Sequence, residues 1–96
     1  MASNSFTIYE GDFALRLEYS KEYAIIHLPY VKKWSPSVFK LLGIKVYDTM
    51  EFVKTVGYDC LRAGVPQDNL KITKLVLMLG FEYEGSNQGY DIYRLK

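Results

Sequence analysis

Around Ser35-Pro36 the spacing of apolar residues changes from every second position to every third or fourth. That change alone excludes an all-helical or all-strand fold. Before it, Phe13, Leu15, Leu17 and Tyr19 alternate with Ala14, Arg16 and Glu18, the pattern of a strand with one buried face. Phe6 to Tyr9 and Tyr23 to Leu28 flank it, separated by the turn signals Glu10-Gly11-Asp12 and Ser20-Lys21-Glu22. Tyr23 to Leu28 is apolar on both faces and reads as the most central of the three. Short turns between three strands imply an antiparallel meander.

After the change, Ser35 is placed to cap the free amides of a helix, and Pro36 suits its first position. Val38, Leu41, Leu42, Val46, Thr49, Phe52, Val53 and Val56 recur at helical spacing until Gly57 stops the run. Gly43, inside it, costs about 1 kcal/mol relative to Ala and offers a place for a kink. Tyr58 to Val65 reads as a strand closed by Pro66. Asp68 or Asn69 caps a second helix, with Ile72, Leu75, Val76 and Leu79 on its buried stripe and Gly80 at its end. Phe81 to Glu84 and Tyr90 to Leu95 are strands joined by the loop Gly85-Ser86-Asn87-Gln88-Gly89.

The order is βββ-α-β-α-ββ. A strand–helix–strand passage demands a parallel pair and a right-handed crossover, whereas the hairpins demand antiparallel pairs. The predicted class is therefore α/β in the α+β sense: a mixed, mostly antiparallel six-stranded sheet with helices on its faces. A length of 96 residues allows a single domain, residues 1–96.

Charge and cysteine usage narrow the function classes. Twelve basic and eleven acidic side chains leave a formal net charge of +1, too little to draw nucleic acid or a membrane surface. Cys60 has no second cysteine to pair with, and a buried, inert thiol is expected. No His, Cys and carboxylate pattern has metal-ligand spacing, so no metal is expected. Met1 to Glu10 lacks the basic-then-apolar pattern of a secretory signal, and no apolar run is long enough to span a membrane. A soluble protein made in the cytoplasm is expected.

The C-terminal third carries a more specific resemblance. Val65-Pro66-Gln67-Asp68-Asn69 leads into Leu75 and then Leu79-Gly80-Phe81-Glu82-Tyr83-Glu84-Gly85, with Asn69 eleven residues before Gly80. With the element order, this resembles the GNAT superfamily of N-acetyltransferases, over roughly residues 5 to 96. The resemblance implies a minimal GNAT-like fold, and it supplies parts against which the chain can be checked. GNAT enzymes place Arg or Gln and a glycine-spaced run before the long helix, so that backbone amides reach the pyrophosphate of acetyl-CoA. Here Lys33 stands where the Arg would, and Trp34, Pro36 and Val38 stand where glycines would. Side chains would crowd the phosphates, and Pro36 removes a donor. Many family members carry a Tyr four residues before the Gly as general acid; here that residue is Val76. Full-length members begin with a strand and two helices that wall the amine site; about nine residues precede the first turn here, and that wall is expected to be missing.

These departures imply a chain with no catalytic residues, no cofactor and no metal. The GNAT-like virion and head-assembly proteins of short-tailed bacteriophages are similar in type. That likeness implies a structural or assembly protein whose partners are other virion subunits or copies of itself. It would be made in the host cytoplasm and located in the virion. The strand at Phe6 to Tyr9 would expose an edge that a neighbour could extend. Tyr30, Lys32, Lys33 and Trp34 form the candidate interaction surface; Trp34 as a cap on the core fits equally well. Two alternatives stand beside this one: an acetyl-CoA-dependent N-acetyltransferase with a divergent cofactor loop, and a small regulatory partner of a host protein. Under the transferase alternative, His27 is the candidate base, on a strand corresponding to one that lines GNAT active sites, with no acid partner evident from spacing.

Overall fold

The computed structural model describes residues 4–96; Met1–Ser3, which the single-domain and signal-peptide readings include, lie outside them. The elements are β1 (Asn4–Glu10), β2 (Phe13–Tyr19), β3 (Ala24–Val31), α1 (Pro36–Thr55), β4 (Leu61–Pro66), α2 (Leu70–Met78), β5 (Glu82–Asn87) and β6 (Tyr90–Leu95). They build one six-stranded sheet in the order β1-β2-β3-β4-β6-β5. Only β3 and β4 run parallel, as the crossover through α1 requires; the other neighbours are antiparallel.

One core holds the molecule. Phe13, Leu15 and Leu17 of β2, Ala24 and Ile26 of β3, Leu61, Ala63 and Val65 of β4, and Tyr93 and Leu95 of β6 face the helices. Val38, Leu42, Val46, Met50 and Val53 of α1 and Ile72, Leu75 and Val76 of α2 close over them. Both helices thus pack on one face of the sheet. Arg16, Glu18, His27, Arg62 and Arg94 alternate with these apolar residues and lie on the other side of the sheet.

The helix boundaries follow from the expected residues. Ser35 Oγ accepts from the Val38 amide at 3.1 Å, and Pro36 opens α1. Asn69, not Asp68, caps α2, its Oδ1 accepting from the Ile72 amide at 3.1 Å. Each helix ends in the same device. Gly57 donates to the Lys54 carbonyl and Tyr58 to that of Val53; Gly80 donates to Leu77 and Phe81 to Val76. Both glycines have positive φ, 110° and 97°, and the aromatic that follows packs against the core.

Four expectations are corrected. α1 runs through Gly43 without a break, because a 20-residue helix anchored along one face tolerates one weak position. Phe52 and Val56, placed on its buried stripe, are 53% and 56% exposed, while Met50 is buried. Phe52 and Val56 line an open groove beside Phe6, Leu17 and Tyr19. Tyr58 to Cys60 are not strand, since Tyr58 completes the α1 cap and its hydroxyl donates to the Ser20 carbonyl at 2.5 Å. Gly85, Ser86 and Asn87 are strand, not loop: the turn is Gln88-Gly89 alone, with φ of 52° and 85°, the geometry of a tight primed hairpin.

The two glycines Gly43 and Gly80 give opposite predictions. Gly80→Ala forces a side chain to a φ of 97° and is expected to cost about 1–2 kcal/mol. Gly43→Ala meets only Leu79 Cδ2 at 3.4 Å and is expected to stabilise by up to about 1 kcal/mol through helix propensity. Urea unfolding of the two variants measures both signs.

Candidate functional site

Three places in this fold are able to carry function. The first is the turn from β3 into α1, where the resemblance would put a pyrophosphate. The Lys32 amide donates to the Asp12 carbonyl at 2.7 Å, which ties the turn to the start of β2. At the helix start Pro36 has no amide, Val38 donates to Ser35 Oγ, and Phe39 donates to the Ser35 carbonyl at 2.9 Å. Three of the first amide positions are therefore unavailable to an anion. Of the expected interaction surface, Lys32 and Lys33 are exposed and Tyr30 is 37% exposed, while Trp34 is half-buried and packs against the core.

The second place is the cleft where β3 and β4 part. Their parallel register covers only Ile25–Arg62 and Ile26–Ala63. Beyond it the strands diverge, and the space between them on the helix side is packed with Leu28, Leu42, Val65, Leu75, Leu79 and Phe81. The cavity left is about 30 Å³. That is space on the order of one or two waters. Val76, at the family's acid position, is buried among these residues at 6% exposure.

The third place is a broad groove of about 800 Å³ on the helix-free face of the sheet. On its rim, Glu18 of β2 and His27 of β3 meet at 3.0 Å, Oε1 to Nε2, and the Tyr23 hydroxyl donates to Glu18 Oε2 at 3.1 Å. The acid partner that spacing did not reveal is thus Glu18. Arg16 pairs with His27 and Glu18 with Ile25, so Glu18 and His27 are diagonal neighbours on one face of the hairpin. Once the β2–β3 register is known, the pair follows. Gly64 of β4 lies beside the imidazole; a Cβ there would be in ordinary van der Waals contact with it, 3.6 Å from His27 Cε1. Cys60 is buried and unpaired, as expected. Among the described residues no group of three or more His, Cys, Asp or Glu is placed to hold a metal ion.

Across the same face, Arg62 and Arg94 stand opposite one another on β4 and β6, an arrangement that by itself repels. Glu84 resolves it. The β5 register slips between Tyr83 and Gly85, and Glu84 accepts from Arg62 Nε at 2.6 Å and lies 3.6 Å from Arg94 Nη1. The hydrogen bond from Arg62 holds the Glu84 carboxyl below its ordinary value of 4.5 and raises Arg62 in turn. A depressed folded pKa means stabilisation that is complete above the unfolded value and lost as the pH falls through the folded one. Glu84→Gln is therefore expected to be less stable than wild type at neutral pH, and the two urea midpoints should converge as the pH drops below 4.5. Parallel midpoint profiles would exclude this role for Glu84.

No family model matches the sequence, and no curated protein does. Among solved structures, that of a probable GNAT-family acetyltransferase from Chromobacterium violaceum matches with a TM-score of 0.51 at 18% identity. The match covers 88% of this chain and 58% of that one, so the chain spans less than two thirds of the length of the structure it resembles. At that identity the likeness is one of architecture: this chain has a minimal GNAT-like fold.

Proposed function

We propose that this chain is a non-catalytic protein of GNAT-like fold that works by contacting other proteins, as a structural or assembly subunit of a bacteriophage particle. The observation that carries the non-catalytic part is the packed cleft between β3 and β4. Its cavity of about 30 Å³ is lined almost wholly by apolar side chains, with Val76 where an acid would stand. The capped, proline-started α1 supports it, because three of its first four amide positions are engaged or absent. Contact with proteins is supported by apolar side chains left in water, Phe52, Val56, Leu70 and Met78 among them, each more than half exposed. The phage assignment rests on the resemblance to GNAT-like virion proteins, and mass spectrometry of purified particles from the source phage tests it. Absence of the chain from the particles would overturn it.

A second reading, an acetyl-CoA-dependent N-acetyltransferase, is favoured by one observation: the Glu18–His27 pair is oriented as a general base would be, beside an open groove. Ligand titration separates the two. On the proposed function, acetyl-CoA and CoA leave the thermal unfolding midpoint unchanged up to about 1 mM. Saturable stabilisation, together with thiol release from acetyl-CoA that His27→Gln abolishes, would establish the transferase instead.

A further inference from the structure

We infer that two copies of this chain associate by antiparallel pairing of their β1 strands about a two-fold axis at Phe6, which joins their sheets into one. The inference deepens the proposed function, on which it rests, by naming the partner as a second copy.

The sheet has two edges, β1 and β5, and they are built differently. β5 carries Glu82 and Glu84, and its register slips at Glu84. Charge and a bulge are the usual protections of an edge against pairing with another chain. β1 has neither over Asn4, Ser5, Phe6 and Thr7: the segment is uncharged, lacks Pro, and keeps regular register with β2 until the slip between Thr7 and Tyr9. Glu10, at the far end, is the only charge in the strand. β5 carries two charges and its slip in mid-strand, whereas the first four residues of β1 are uncharged and in regular register.

The side chains around that edge suit a copy of itself. Phe6 pairs with Leu17 and so lies on the helix side, where it is 44% exposed. Together with Leu17, Tyr19, Phe52, Val56 and Tyr58 it lines an apolar groove of about 310 Å³ at the end of α1. A two-fold axis perpendicular to the sheet keeps both helix layers on one side. Pairing centred on Phe6 then sets Phe6 against its equivalent and Ser5 against Thr7, with no like charges opposed. The grooves of both copies flank the junction, so Phe52 and Val56 of each face apolar surface. The twelve-stranded sheet that results buries the apolar surface that a small domain leaves exposed.

Light scattering coupled to size exclusion, from about 1 µM to about 1 mM loaded protein, tests the assignment. The expected result is a concentration-dependent mass of two chains, with β1 amide exchange slowing as the dimer fills. Phe6→Lys and Thr7→Lys should each restore the one-chain mass, since a lysine on either face guards the edge; Glu82→Lys on the opposite edge should not. Thr7 is exposed, so its variant keeps the fold. A one-chain mass at the highest concentration, or a dimer insensitive to both β1 lysines, would overturn the pairing. A monomer that ignores acetyl-CoA removes the dimer and leaves the proposed function standing; an acetyl-CoA response removes that function and leaves the mass measurement to decide the dimer.

Discussion

The single apolar layer between sheet and helices is what everything else in this molecule depends on. Phe13, Leu15, Leu17, Leu42, Val46, Val53, Leu61 and Val65 are all below 2.5% exposure, and they come from β2, α1 and β4. The opposite face of the sheet is mostly polar and charged, with Ile25 and Ile92 among it, and no second core forms there among the described residues. A short chain gains its stability from burial against a large loss of conformational entropy, and with one layer the margin is small. This is why the two helix ends matter. Each returns the chain to the sheet through a positive-φ glycine and an aromatic, Gly57-Tyr58 and Gly80-Phe81, and each aromatic packs against that layer.

The parts of the fold written in local chemistry are legible in the sequence. Ser35-Pro36, Asn69, Gly57 and Gly80 act through neighbours one to four residues away, and the alternation of β2 reports one buried face. Both strand–helix boundaries and the class of sheet follow from them. What is not legible depends on distance. Gly85 and Ser86 look like loop residues but are held in β5 by Ile92 and Asp91 on β6, and a neighbouring strand overrides weak propensity. Phe52 and Val56 have the right spacing for burial, yet they line an open groove with Phe6, Leu17 and Tyr19 and stay more than half exposed. The Glu18–His27 pair is invisible to spacing because the β2–β3 register set by the Ser20–Tyr23 turn decides it. One residue more or less in the hairpin would put Glu18 on another face.

The two sides of the sheet bear differently on chemistry. On the helix side, the cleft between β3 and β4 is filled mostly by apolar side chains. On the bare side, the groove holds two linked clusters, Tyr23–Glu18–His27 and Arg62–Glu84–Arg94, each satisfied within itself. Polar groups that have found partners among themselves rigidify a surface more readily than they recruit a ligand.

The short parallel rung between β3 and β4 has a mechanical consequence. β4 and β6 register at six positions and β2 with β3 at six more, whereas β3 and β4 register at two. The sheet is in effect two three-stranded ribbons butted together along a weak line. Load applied across that line is carried mainly by the grip of α1 and α2, which lie over both ribbons. Such a grip is non-directional: it yields by sliding where a ladder of hydrogen bonds would snap. It also loosens on cooling, as hydrophobic burial does. The molecule is therefore built to be stiffer along its strands than across its middle.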